Sequence, residues 1–273
     1  MTEAEWAVCR DPEKMLDYLS GRVSDRKLRL FGCGCCRRVW GAIPSDLNRE
    51  AVMAVERFPE SPPSQEYPGG VFDHPVLGEA LSASGSVEYL PLLAQLVASG
   101  SVEPQPMLAK LVASCSVEFQ HMLAQPPYDH RTLPTREPAY WAVTDLGRTY
   151  YKGTPLSCAK PVARCAARSA AAAGTDRTEE AAQAGLLRCI FGNPFRPVAL
   201  DRSWKTPTAL AIAQAAYEDR IVPAGHLYSD KLAVLADALE DGGCTDAAIL
   251  GHLRGPGPHV RGCWALDLIL GRE

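Results

Sequence analysis

Helix starts and stops recur along this chain at intervals that suit only a many-helix fold. Thr2 and Glu5 have the spacing of a capping box, in which each side chain satisfies a backbone N–H left open at the helix start. Asp11-Pro12 supplies an N-cap and then proline at the first helical position, opening PEKMLDYLS ahead of Gly21. Ser24 predicts a helix from Asp25 to about Trp40. Ser45 predicts another over DLNREAVMAVERF, where Leu47, Ala51, Ala54, Val55 and Phe58 keep helical spacing. Further on, an Ala-rich stretch from Cys158 to Ala173 reads as a helix with Pro161 in its first turn. DRTEEAAQAGLLRCIF is stopped by Gly192 and Asn193-Pro194, and Thr206-Pro207 opens TALAIAQAAYEDR. SDKLAVLADALEDGG carries the stripe Leu232, Leu235, Ala236 and Leu239. Thr245 is the expected cap of DAAILGHLR, and GPGP turns the chain into a last helix, HVRGCWALDLIL. Strand signals are scarce. The expected fold is all-α, an irregular helical bundle or helix-hairpin stack of about ten helices.

The middle of the chain breaks this texture. Residues 59–75, PESPPSQEYPGGVFDHP, read as an extended loop because proline and glycine dominate them. A repeat with a period of 15 follows: ASGSVEYLPLLAQLV (83–97), ASGSVEPQPMLAKLV (98–112) and ASCSVEFQHMLAQ (113–125). That period is shorter than the common helix-pair solenoid units, so the repeats read as a tandem duplication within a tolerant insertion. After a second proline-rich join, EPAYWAVTDLGRTYY is expected to be helical. The predicted organisation is an N-terminal helical block (1–58), an insertion (59–137) and a C-terminal helical block (138–273) sharing one core with the first.

The formal net charge of −4 gives no global basic field, which argues against nucleic acid as a partner. No run of residues reaches the roughly 18 apolar positions of a membrane span. The opening MTEAEWAVCRDPEK is acidic and has no apolar segment of a secretory signal, so the expectation is a cytoplasmic protein with reduced thiols.

Two blocks carry a resemblance. MTEAEW…SDRKLRLFGCGCCRRVW at one end and LLRCIFGNPFRPV…LADALEDGGCTDAAILGHLRGPGPHVRGCWALDLILGRE at the other resemble a family of small helical proteins from planctomycete genomes. The similarity spans about residues 1–58 and 184–273 and leaves the repeats outside it. It implies a bacterial, cytoplasmic, helical protein, and it brings no activity and no catalytic residues.

Ten cysteines direct attention to thiol chemistry. In LRLFGCGCCRRVW, a helix advancing about 100° per residue puts Cys35 in the Leu28–Phe31–Val39 stripe and about 160° from Cys33. Cys33 and Cys36, at i and i+3, could bind one ion together. They make only half of a zinc site, so close packing of small buried residues is the competing reading. The same helix is basic: Arg22, Arg26, Lys27, Arg29, Arg37 and Arg38 outweigh Asp25, and acidic helices such as LADALEDGG are the expected partners. The stronger metal candidate is Cys244, His252, His259 and Cys263. These are the right ligand types for Cys2His2 zinc, with His259 and Cys263 one helical turn apart. Asp267 falls on the apolar stripe of the last helix, where a carboxylate needs a partner. Arg196, Arg254 and Arg261 are the candidates for a structural ion pair.

Walker loop, GxGxxG, HExxH and GxSxG motifs are all absent from the sequence. The leading functional expectation is therefore a non-enzymatic α-helical module that binds a protein partner. One alternative is a zinc-binding structural or regulatory protein using the Cys/His positions. The other is an enzyme with its site between the N- and C-terminal blocks.

Overall fold

A computed structural model of the chain describes residues 1–43, 46–57, 59, 142, 146, 155–173 and 176–272. The repeats lie outside the described residues, as does the proline-rich loop apart from Pro59. EPAYWAVTDLGRTYY does so too, apart from Ala142 and Leu146, both of which are helical.

Among the described residues the fold is helical, with one short ribbon. The helices are α1 (Glu3–Val8), α2 (Pro12–Leu19), α3 (Asp25–Arg38), α4 (Asp46–Arg57), α5 (Pro155–Ala172), α6 (Asp176–Phe191), α7 (Pro207–Glu218), α8 (Ser229–Asp241), α9 (Ala247–Leu253) and α10 (Trp264–Leu270). Between α7 and α8, β1 (Arg220–Ile221) pairs antiparallel with β2 (His226–Leu227), Arg220 opposite Leu227.

Several caps act as their residue types predict. Thr2 and Glu5 form the reciprocal capping box, Asp11 accepts from the N–H groups of Glu13 and Lys14, and Ser24 from that of Lys27. Three boundaries differ. α5 begins at Pro155, so Pro161 sits inside the helix rather than in its first turn. The proline at the first helical position moves the start upstream. Asp246, not Thr245, caps α9, its carboxylate taking the N–H groups of both Ala248 and Ile249. The last helix is shorter than expected, because Gly262 at φ +89° interrupts it before Trp264.

α2 to α6 form one group of helices, with α3 packed on α4, α5 and α6. α7 to α10 form a second, and α6 meets α10 where the groups join. Their buried residues, from Trp6 to Ile269, make one continuous core. α3 is buried from Leu28 through Arg37, on every side, so its glycines and cysteines are spacers. A Cβ on Gly32 would stand 2.8 Å from Leu146 Cδ1, and one on Gly34 would stand 3.1 Å from Leu186 Cδ1. Close approach of these neighbours outweighs the helix propensity that each glycine forfeits, about 1 kcal/mol against alanine.

Burying α3 also buries Arg26, Arg29 and Arg37, and the partners of its arginines differ from those expected. Arg37 grips Glu56 through two bonds, at 3.0 and 2.7 Å, and its remaining arm reaches the Pro223 carbonyl at 3.0 Å. Arg220 adds a third bond to Glu56 at 2.7 Å. Arg38 pairs with Glu179 on α6, and Arg29 donates to the Pro59 carbonyl. The acidic residues Asp237 and Glu240 of α8 instead take Arg254.

Burial pushes the Glu56 carboxyl up, but Arg37 and Arg220 outweigh it and hold the group below its usual value of 4.5. A carboxylate depressed in the fold stabilises above its unfolded pKa, and that contribution disappears as pH falls through the folded one. Glu56→Gln, which strands two arginines, is expected to cost about 3–5 kcal/mol in urea unfolding at pH 7. The gap from wild type should narrow once the pH drops below 4.5.

Candidate metal centre

The close approach of α6 to the C-terminal segment follows from a glycine. α6 stops at Gly192, which adopts φ +66°, and a Cβ there would lie 3.1 Å from the Trp264 ring. The last turn of α6 therefore lies directly against the start of α10. Cys189, on the buried face of that turn beside Ile190, is carried to Cys263, the residue preceding Trp264.

The other two residues come from the chain between. α9 ends in Leu253, with His252 in its last turn, and the Gly255 N–H closes a turn onto the His252 carbonyl at 3.1 Å. After GPGP the backbone runs extended. The His259 carbonyl accepts from the Leu227 N–H at 2.8 Å, and Val260 bridges His226. The ribbon β1–β2 thus holds His259 in place. Gly262 then turns the chain into α10, and its backbone passes so close to α3 that a Cβ would stand 2.8 Å from Leu30 Cδ1.

The outcome is a cluster of Cys189, His252, His259 and Cys263, whose candidate ligand atoms all lie within 4.8 Å of one another. His252 Nε2 is 3.2 Å from Cys263 Sγ, and the two imidazoles meet edge to face with centroids 4.9 Å apart. Cys263, Cys189 and His259 are 0, 3 and 2 % exposed, and His252 is half-buried. His259 Nε2 lies 3.1 Å from the Gly255 carbonyl, a contact that needs a proton on that nitrogen. Its Nδ1 is left buried without a hydrogen-bond partner.

The two sulfurs are unequal. Burial alone would raise the Cys263 thiol, but its contacts with Cys189 and with the imidazoles of His252 and His259 overcome it and hold Cys263 well below the ordinary thiol value. Contact with Cys263, then burial, pushes Cys189 well above it. Burial pushes Cys33 and Cys35 well up, leaving protonated core thiols.

Three of the four expected ligands are brought together: His252, His259 and Cys263. Cys244 is not among them. It is buried just beyond α8, where its N–H caps the Leu239 carbonyl. His259 and Cys263 do not share a helix, because both precede α10. The fourth position belongs to Cys189, which sequence reasoning passed over inside an apolar run. The available signal was the preference of zinc sites for ligands from separated segments. Cys33 and Cys36 have no third candidate ligand beside them among the described residues.

The Asp267 carboxylate is buried, and its partner is Arg26 of α3, through a fork at 2.6 and 3.2 Å. None of the arginines expected there takes this role. Arg196 pairs with Glu3, Arg254 with Asp237 and Glu240, and Arg261 donates to the Glu56 carbonyl. Arg26 also donates to the Tyr217 hydroxyl at 2.6 Å. Burial dominates at Asp267 and raises its carboxyl despite the Arg26 fork.

Comparison with protein-family models, with curated proteins and with solved structures finds no match to this chain.

Gly262 and Gly243 share φ +89°, but nothing lies within 4 Å of a Cβ built on Gly243. Gly243→Ala is therefore expected to cost only backbone strain, about 1–2 kcal/mol. Gly262→Ala should cost about 1–3 kcal/mol more, from the clash with Leu30. Urea unfolding of the two variants side by side checks the difference.

Proposed function

We propose that this chain is a zinc-binding helical protein in which a Cys2His2 centre ties the C-terminal segment to α6. One observation carries the reading: two sulfurs and two imidazoles, from α6, α9 and the strand-like segment before α10, converge within 4.8 Å. Metal–ligand lengths of about 2.0–2.3 Å put the donors of a tetrahedral zinc site roughly 3.3–3.8 Å apart. The donors need to close by about 1.5 Å at most. Soft thiolate with imidazole in a four-ligand set suits zinc better than magnesium or calcium, which take oxygen.

The unpartnered Nδ1 of His259 supports the same reading. A metal-bound histidine ordinarily gives its other ring N–H to a carbonyl or carboxylate, which fixes the tautomer. Here the Gly255 carbonyl fills that role for Nε2 and leaves Nδ1 to bind the ion. His252 would bind through Nε2, the atom already facing Cys263.

Four protein ligands make a closed site, with no position for water or substrate, which is the pattern of structural zinc. The crevice between the two blocks, lined by Leu30, Gly34, Arg37, Glu56, Gly225 and Arg261, has room for about one water molecule. The zinc is accordingly read as part of the scaffold of a non-enzymatic helical module.

Metal analysis of the purified full chain is expected to find one equivalent of zinc. Less than a tenth of an equivalent, with no effect of chelator on melting, would overturn the reading. Cys189→Ser is expected to lose most of the metal and Cys244→Ser to keep it. The reverse result would move the site to the Cys244 set. If the centre contributes even about 5 kcal/mol of the 10–16 available to structural zinc, chelation should lower Tm by about 10–20 °C. Added zinc should restore it.

A further inference from the structure

We infer that the same centre is a peroxide-sensitive latch, in which Cys189 and Cys263 close a disulfide and expel the zinc. The inference rests on the zinc reading above and adds how the site is released. Its basis is the placing of the sulfurs. Both belong to one cluster with ligand atoms within 4.8 Å of one another, so the pair that holds the ion can also bond to itself. Cys189 is held in a turn of α6, whereas Cys263 lies between Gly262, at φ +89°, and the first residue of α10. Closing the pair needs Cβ atoms about 3.5–4.5 Å apart.

The cluster also has a side of entry. His252 is the half-buried ligand of the four and lies 3.2 Å from Cys263 Sγ. When its imidazole swings off the ion, Cys263 is the sulfur it uncovers. Hydrogen peroxide is the oxidant required. The Cys263 sulfur attacks one peroxide oxygen, the O–O bond breaks, and Cys263 becomes a sulfenic acid as hydroxide leaves. The Cys189 sulfur then attacks Cys263, forming the S–S bond and breaking the S–O bond, with loss of a second hydroxide. Two solvent protons convert both hydroxides to water. The sulfurs have together given two electrons to one peroxide, and zinc, left with two neutral imidazoles, departs as the hydrated ion.

The test uses the full chain, isolated with its zinc and treated with hydrogen peroxide. Free zinc is followed by a colorimetric chelator and cysteine linkage by peptide mass. The expected result is about one equivalent of zinc released per disulfide formed. It should come with a Cys189–Cys263 peptide pair about 2 Da lighter than the two reduced peptides, and reversal by dithiothreitol plus zinc. Cys244→Ser should behave as wild type. Zinc retained under excess peroxide would overturn the latch and leave the metal centre standing, as would zinc lost without that peptide pair. Protein isolated without zinc would instead defeat the metal reading itself. In Cys189→Ser, peroxide should stop at a Cys263 sulfenic acid that dimedone traps. Absence of that adduct would also overturn the sequence of steps.

Discussion

A helix buried on all sides, carrying four arginines, is the constraint around which this fold is arranged. α3 must lie within contact distance of α4, α5 and α6 at once, which glycine and cysteine permit and larger residues would not. Its guanidinium groups cannot be left in the interior unpaired, since an uncompensated buried charge costs several kcal/mol. Glu56, Glu179 and Asp267 answer Arg37, Arg38 and Arg26 from three different helices. Each pair therefore also sets the position of a partner helix. The Arg26 fork onto Asp267 reaches across to α10, and the Arg37 arm on Pro223 reaches the ribbon. The charges of α3 thereby orient the C-terminal half against the N-terminal half.

The Cys/His cluster is a second tie between the same halves, at the start of α10. Asp267 and Cys263 stand one helical turn apart. One is held by α3 through an ion pair, and the other faces α6 through a sulfur contact. α10 has only seven residues, too short to persist on propensity, so anchoring at its start and its middle explains how it keeps a fixed place. Structural zinc can contribute about 10–16 kcal/mol, comparable with the 5–15 kcal/mol net stability of an ordinary domain. The proposed ion therefore belongs among the main determinants of the fold, and its loss would be felt first in α9, α10 and the turn between them.

Legibility in the sequence tracked the range of the interaction. Capping by Thr2, Asp11, Ser24 and Thr206 acts within one turn, so those helix starts were readable. His252, His259 and Cys263 were readable as ligands because they lie within twelve residues and the GPGP turn bends them together. Cys189 was not. It stands some sixty residues upstream of His252, and only the packing of Gly192 on Trp264 brings it in. The buried carboxylate was similar. That Asp267 needs a cation followed from the apolar stripe around it, but the arginines expected were Arg196, Arg254 and Arg261. Arg26 is 241 residues away in the chain.

What the sequence alone determined is the helical character, most helix boundaries, and the kinds of chemistry that need satisfying: thiols and imidazoles near the C-terminus, a carboxylate in an apolar helix, cations on α3. These are properties of single residues and short spacings, where local sterics and backbone hydrogen bonding decide. The tertiary structure decided which group satisfies which. Cys189 displaced Cys244 from the metal cluster, Arg26 displaced Arg196, Arg254 and Arg261 at Asp267, and Glu56 became the acceptor for two arginines. Those pairings follow from how α3, α6 and α10 pack. Packing sums many weak contacts between distant segments, so no short stretch of the chain contains it.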